Sequence, residues 1–580
     1  MIRNIKYLAV CVCVALFASS CDSFLDKQPL TEVSETDVWS DPALVNAFVN
    51  SRYNQVGTGW TESWQSSVVD ETYLTWSRGC EPITQGYVSP SDLGRMNGGW
   101  WGWDNRAWNT VWSNISNCNL FFARIDEVPF SDESIKNSLT GQVRFIRALM
   151  YHDLVSRWGA MPLITKVYTL NDVDEILQQE RASYKECVDF MVSELDLATS
   201  ELPASFSGSE KGRATSVAAL ALKSRILLYA ASDLMNIGVK SEYVGYTTPE
   251  PDRWQKAIDA ANACIDSAIS NGYALYDKYG DDVKTKYIEL FLEGGNPEVL
   301  FDRQGTTSAD GESLTTIDQS NGPNGYGYWG GNTPLQEFVD AFEMEDGTLF
   351  DWNNPDHNKH PYQKRDKRLY ATVLCDGDLW KERNVECYID ADANGHELTS
   401  GGRDSKYGPD SWNTSLSGYN MRKFLDETYV PNSNNVKTPK NWIWLRLGEQ
   451  YLNLAEAYYM NGNEAEARTA LNTIRNRARM PEVTASGTEL LEKIRNERRV
   501  ELAFEEHRYF DVRRWKQGDK YLNKTVTGIT VLKLPDGTKR YIPGKVVEER
   551  KFFEHMNWLP IPKGEIDKNP RIIQNPGYTN

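Results

Sequence analysis

Cysteine is scarce once residue 21 is passed. The 580-residue chain holds 9, and beyond Cys21 only Cys80, Cys118, Cys187, Cys264, Cys375 and Cys387 remain. These are too sparse for a disulfide framework in a chain this long, although Cys375 and Cys387 are close enough in sequence to pair. After the first 20 residues there is no run of 18 or more apolar residues, which excludes a membrane-spanning helix from the remainder. Positive charge is also in deficit, with 63 Lys and Arg against 81 Asp and Glu and a formal net charge of −18. A nucleic-acid surface needs clustered basic residues to displace counterions, so this balance argues against one. Of the 6 histidines, His357 and His360 sit in a Pro/Asn loop with no HExxH pattern and no Cys partner, the wrong setting for zinc.

The one long apolar run lies at the start. It follows Arg3 and Lys6, ends in Ala18-Ser19-Ser20 and is closed by Cys21. A basic segment, an apolar segment and small residues in that order form an export signal, here residues 1–20. With Cys21 as the first retained residue, the pattern resembles the lipobox of bacterial lipoproteins, which implies that this thiol is acylated and tethers a chain that is otherwise soluble. The alternative is an ordinary secretory signal with a chance cysteine.

The length exceeds the ~100–200 residues of a single domain, so the chain is either multidomain or one elaborated scaffold. Apolar residues at i, i+3 and i+4 predict helices over 43–54, 108–125, 135–157, 184–201, 217–235, 254–270, 444–460, 465–479 and 489–504. Around Gly462, the residues Leu454, Ala455, Tyr458, Ala467, Leu471 and Ile474 fall near the small and large positions of a tetratricopeptide repeat. Such helix pairs bury their apolar faces only by stacking, which points to one curved scaffold; generic helical hairpins are the alternative. Residues 272–440 are rich in Gly, Asn, Asp and Pro and read as loops and short strands. The predicted fold is therefore mainly α, a tetratricopeptide-like scaffold over 21–271 and 441–580 with an irregular inserted region at 272–440.

Three C-terminal stretches carry a family resemblance. The run from Arg498 to Trp515 (RRVELAFEEHRYFDVRRW), Leu559-Pro560-Ile561-Pro562 with Glu565, and Gln574-Asn575-Pro576-Gly577-Tyr578 resemble blocks of the SusD/RagB outer-membrane lipoproteins. So do Arg144 to Leu149 leading to Gly159-Ala160-Met161-Pro162-Leu163, Gly212-Arg213-Ala214-Thr215, and the mature start Cys21 to Asp26. The resemblance implies a cell-surface glycan-binding lipoprotein on the outer membrane, acting as a lid over a SusC-like TonB-dependent transporter. The charge run 498–515 itself reads as structural, its Arg, Glu and aromatic residues having the spacing of a helix pinned by ion pairs and stacked guanidinium groups.

Tryptophan is the compositional excess: 19 residues, eight of them between Trp60 and Trp112. A sugar presents C–H patches flanked by hydroxyls, so its site needs flat aromatic faces and a few polar groups. The irregular segment 57–105 supplies both, with Trp76, Arg78, Asn97, Trp100, Trp101, Trp103, Asp104 and Asn105 as candidate ligand contacts. Trp108 and Trp112, four apart on a predicted helix, are assigned to the core. A Gly-rich loop carrying Tyr326, Tyr328 and Trp329 is the candidate opposing wall.

Asp390, Asp392 and Asn394, followed by Gly395, have the spacing of the start of a Ca²⁺ loop. Position twelve is Gly401 instead of a bidentate Glu, and a plain Asp/Asn turn is the competing reading. No cofactor is otherwise called for. Two other function classes compete with glycan binding. A lipid-anchored glycoside hydrolase would require two carboxylates facing across a cleft, and no block resembling a hydrolase family is present. A repeat scaffold that binds only protein has little reason to hold three Trp within four residues on an irregular segment, whereas peptide stays open as an alternative cargo, because some transporters of the kind the resemblance implies carry peptides.

Overall fold

The computed structural model describes residues 35–59, 65–76, 79–97, 106, 108–305, 316–431 and 440–579. Cys21 lies outside them. Among the described residues no helix is long and apolar enough to cross a membrane.

Helices dominate. In the N-terminal half they are α1 (Pro42–Tyr53), α2 (Trp108–Arg124), α3 (Glu133–Trp158), α4 (Tyr184–Glu201), α5 (Ser216–Ala231) and α6 (Arg253–Ser270). After α7 (Val283–Leu292) come α8 (Leu447–Met460), α9 (Glu464–Arg477), α10 (Gly487–Glu501) and α11 (His507–Arg514). Their starts follow from local chemistry. Asp41 accepts from Ala43 N at 2.8 Å just ahead of Pro42 in α1. Ser183 and Glu186 form a reciprocal capping box on α4, which satisfies two amide donors that the helix leaves unpaired.

The helices pack in sequence, α2 on α3, α3 on α4, α4 on α5 and α5 on α6. The row does not stop there: α8 packs directly on α6, and α9 on α8. The inserted region is thus looped out and the C-terminal pair resumes the stack, as expected of tetratricopeptide-like units. Ala455, Ala467, Leu471 and Ile474 are fully buried at the pair's seam. Gly462 makes the turn at φ +85°, a conformation that L side chains avoid.

The insert contributes strands to small sheets that it shares with segments before and after it. Strand β1 (Thr72–Leu74) pairs antiparallel with β3 (Asn332–Pro334), and β2 (Val299–Arg303) with β6 (Trp442–Arg446), which runs straight into α8. A four-stranded sheet has the order β8-β7-β4-β5, from β4 (Ile389–Ala391), β5 (Glu397–Gly401), β7 (Thr525–Lys533) and β8 (Lys539–Glu549). Only its β7–β4 contact is parallel.

The 498–515 run is not one helix. It breaks after Glu501, with Phe504 and Glu506 at φ +62° and +66°, and restarts at His507. Left-handed backbone costs a non-Gly residue about 1–2 kcal/mol, and buried ion pairs on both sides of the break hold it. Arg446 donates to Glu505 at 2.7 Å and to Glu298 and Glu501 at 2.8 Å. Arg498 and Arg514 share Asp511, and Lys423 reaches Glu505 at 2.7 Å. All of these side chains are buried.

Candidate functional site

The register of β1 against β3 decides which aromatic residues meet. Leu74 lies opposite Asn332, and beyond that pair Thr75 N donates to Gly331 O at 2.9 Å and the Thr75 hydroxyl to Gly330 O at 2.6 Å. Trp76 and Trp329 therefore emerge side by side, ring centroids 6.0 Å apart and planes at 73°. Trp412, on the short turn Ser411–Asn413, stands 6.5 Å from Trp76 on a third segment. Asn413 on that turn accepts from the Trp76 indole N–H at 3.4 Å.

Glycine permits this approach. A Cβ on Gly331 would stand 3.1 Å from the Trp76 ring, and one on Gly330 would meet the Asn413 carbonyl at 2.4 Å. The loop is tied to the Trp412 turn by Asn324 Nδ2, which donates to Asp410 O at 3.1 Å and to the Thr414 hydroxyl at 3.2 Å. Trp76 and Trp329 are half-buried, while Trp412 is 69% exposed. Three indoles fixed in edge and tilted contact leave apolar faces toward solvent, a surface suited to stacking on a ring-shaped polar ligand.

The expected wall needs one correction. Tyr328 is fully buried and its hydroxyl donates to Tyr429 O at 3.2 Å; it packs against Trp380 and Tyr429 in the core. Tyr326 is half-buried. Its hydroxyl points inward to the carbonyls of Trp380 and Arg383, and the Arg383 guanidinium covers its ring at 3.9 Å. Of the loop's three rings, Trp329 alone joins the other indoles. Arg78, Trp100, Trp101, Trp103, Asp104 and Asn105 lie outside the described residues, and Asn97 ends the short turn Gly94–Asn97. Trp412 was not anticipated: it is a single Trp in a polar stretch, with no neighbouring ring to mark it.

Beneath the indoles the signature run does positional work. Arg508 grips Asp70, just before β1, at 2.8 and 2.9 Å, and Arg499 reaches the same carboxylate at 2.8 Å. Arg550 donates to the carbonyls of Ser67, Val69 and Thr72. The backbone that presents Trp76 is thereby clamped to the scaffold.

Next to Asp70, Glu71 is buried and its Oε2 has no hydrogen-bond partner. Burial, aided by the adjacent Asp70 charge, pushes its carboxyl up to about 8. A carboxyl raised above its unfolded value contributes stability that is present below about pH 4.5 and lost as pH rises through the folded value. Glu71→Gln should therefore flatten the fall in stability between about pH 5 and about pH 9. Urea unfolding at several pH values checks this, and an unchanged slope in the variant would rule it out.

Asp390 lies in β4, and Asp392 and Asn394 in the turn that joins it to β5. Asp392 Oδ1 accepts from Asn394 N at 2.8 Å and from His396 N at 2.9 Å, while Asp390 accepts from the Ser400 hydroxyl at 2.7 Å. These carboxylates close the hairpin. Among the described residues no group of three or more His, Cys, Asp or Glu side chains is placed to hold a metal ion. Cys375 and Cys387 are free thiols.

Comparison with known proteins agrees with this architecture. Residues 297–578 match the SusD family, and residues 23–228 match a family described as starch-binding associating with the outer membrane. A SusD-like protein of Formosa agariphila is 23% identical over 547 residues, spanning 88% of this chain and 91% of that one. One of Bacteroides ovatus is 23% identical over 536 residues, 89% and 84% of the two chains. Among solved structures, a SusD-like carbohydrate-binding protein of Bacteroides fragilis is 21% identical and superposes with a TM-score of 0.72 over 92% of this chain and 99% of its own. A laminarin-binding SusD-like protein gives 20% identity and a TM-score of 0.62 over 93% and 100%. Another SusD-like protein of Bacteroides fragilis is 31% identical over 95% of this chain and 100% of its own, with a TM-score of 0.75. With that identity spread along nearly the whole of both chains, this protein belongs to the SusD/RagB family.

Proposed function

We propose that the protein is a lipid-anchored, cell-surface glycan-binding protein that captures oligosaccharide and passes it to a SusC-like TonB-dependent transporter in the outer membrane, without cleaving it. The observation that carries this reading is the indole trio of half-buried Trp76 and Trp329 with exposed Trp412, assembled from three distant segments. Support comes from relatives of the same fold named for carbohydrate and laminarin binding, and from the family description that couples starch binding to the outer membrane. Trp100, Trp101 and Trp103, with Arg78, Asn97, Asp104 and Asn105, are assigned to the same ligand on composition.

The chain from residue 22 onward keeps every described residue and should be run on native gels cast with a panel of polysaccharides. Retardation by at least one of them, with no new reducing ends released, is the expected result. Free migration in all of them would sink the glycan reading, and release of reducing ends would sink the non-catalytic one. Anchoring is tested separately. Cys21→Ala should shift the protein from the membrane to the soluble fraction, and tagged parent protein in mild detergent should bring down a large barrel partner. Retention of the variant in a strain lacking that partner would argue against the lipid anchor.

A further inference from the structure

A cavity of about 430 Å³ opens between the first turns of α2, residues 161–181 and residues 561–572. It shares no residue with the indole trio. The volume falls in the range of small-molecule sites, ~300–1,000 Å³, and far exceeds the ~30 Å³ of a water. Its walls are largely apolar, formed by Trp108, Trp112, Met161, Ile164, Ile561 and Ile572. Apolar character continues onto the flanking surface, where Ile176 is 37% and Ile573 55% exposed.

One wall is charged. Arg181 lines the cavity and is buried at 5% exposure. Its Nε donates to Ala160 O at 2.7 Å, Nη1 to Ile573 O at 2.8 Å and Nη2 to Trp158 O at 3.2 Å. A guanidinium has five N–H donors, so these carbonyls leave capacity for a further acceptor. None of the ion pairs formed by described residues includes Arg181, whereas Arg446, Arg508 and Arg514 each meet carboxylates. The other cations at the rim are already paired, Lys166 with Glu175 and Lys568 with Glu565. Arg365 is likewise satisfied by carbonyls alone, those of Val339, Phe342 and Pro361, so burial of an arginine does not by itself call for an anion. Arg181 differs in standing in the wall of an open apolar cavity. Burial also holds its guanidinium down to about 10, a penalty that a bound anion would relieve.

We propose that this cavity binds a small amphiphilic carboxylate, its acyl or aryl body lying between Trp112, Ile164 and Ile572 and its carboxylate meeting Arg181. An apolar body gains from leaving water in proportion to its area. The charge-assisted Arg–carboxylate contact fixes orientation and selects anion over alcohol or amine.

The test is titration of the chain from residue 22 onward, in detergent-free buffer, with decanoate, decan-1-ol and decylammonium as probes. Saturable binding of decanoate at least about tenfold tighter than decan-1-ol, with decylammonium weakest, is the expected order. Ile164→Trp, which fills the cavity, should abolish binding of decanoate and leave the melting temperature close to the parent's. Arg181→Met should retain decan-1-ol binding and lose the preference for the carboxylate. Should Arg181→Met fail to fold, the order of the three probes and the Ile164→Trp variant decide the matter. Absence of saturable decanoate binding, equal affinity for decanoate and decan-1-ol, or undiminished binding in Ile164→Trp would each overturn the proposal.

Discussion

Glu501→Gln should destabilise the fold by about 3–5 kcal/mol, the cost of breaking a buried pair from one side. The carboxylate is 1% exposed. Its oxygens accept from Arg446 at 2.8 Å, Arg368 at 3.0 Å, the Tyr287 hydroxyl at 2.7 Å, and from Arg477. Burial works to raise its pKa, but Arg477, Arg446 and Arg368 together overturn that and hold it well below the usual carboxylate range. Glutamine keeps the shape and removes the charge, leaving three guanidinium groups with less compensation in a region closed to water. Lys185 and Asp189, both well exposed, give the contrast: Asp189→Asn should leave the unfolding curve unchanged, since such pairs are screened by solvent. Denaturant unfolding followed by circular dichroism measures both. Because the pKa of Glu501 is depressed, its contribution is present above the ordinary carboxylate value and lost as pH falls. Acid should therefore narrow the gap between parent and variant. A Glu501→Gln variant as stable as Asp189→Asn would show that the ionic cluster is energetically neutral.

The cluster also explains how the insert is held. Glu298 and Arg446 come from the β2–β6 side, Arg368 and Lys423 from the middle of the insert, Arg477 from α9, Glu497 from α10, and Glu501 and Glu505 from the 498–515 run. Each arginine bridges segments distant in the chain. The sequence of 498–515 shows alternating charge at helical spacing, and that much was legible. The break at Glu501 was not, because it is imposed by partners at residues 298, 446 and 477 that no local pattern reveals.

The same division holds elsewhere. The apolar spacing over 184–201 and the small residues around Gly462 are local signals, and the helices they predict are present. The insert has strands of two to five residues, too short for periodicity to separate from loop. Within the aromatic loop, sequence alone treats Tyr328 and Trp329 alike. Their opposite fates are set by long-range contacts, the Tyr328 hydroxyl on Tyr429 and Trp329 N on Gln319 O at 2.8 Å. Trp76 and the turn of Trp412 touch across 337 residues, a separation at which composition carries no information about contact.

Trp412→Ala should weaken oligosaccharide binding about tenfold, since a stacking contact is worth about 0.5–1.5 kcal/mol beyond area burial and a decade is 1.4 kcal/mol. The ring is 69% exposed and its described ring contact is with Trp76, so the melting temperature should not move. Trp76→Ala should cost more than Trp412→Ala, because Trp76 touches both other indoles, edge-on to Trp329 and tilted to Trp412, and is oriented by donating its indole N–H to Asn413. Removing it frees Trp329 and Trp412 to rotate away from the platform. For the same reason the two substitutions should not add: once Trp76 is gone, losing Trp412 should matter less, giving a coupling of about 0.5 kcal/mol or more in a double-mutant cycle. Calorimetric titration of the parent, both single variants and the double variant with one retarding oligosaccharide supplies all four values. Affinities unchanged in both single variants would place the ligand elsewhere on the molecule. Strict additivity would leave the indoles as independent contacts and remove the argument that the β1–β3 register builds a single platform.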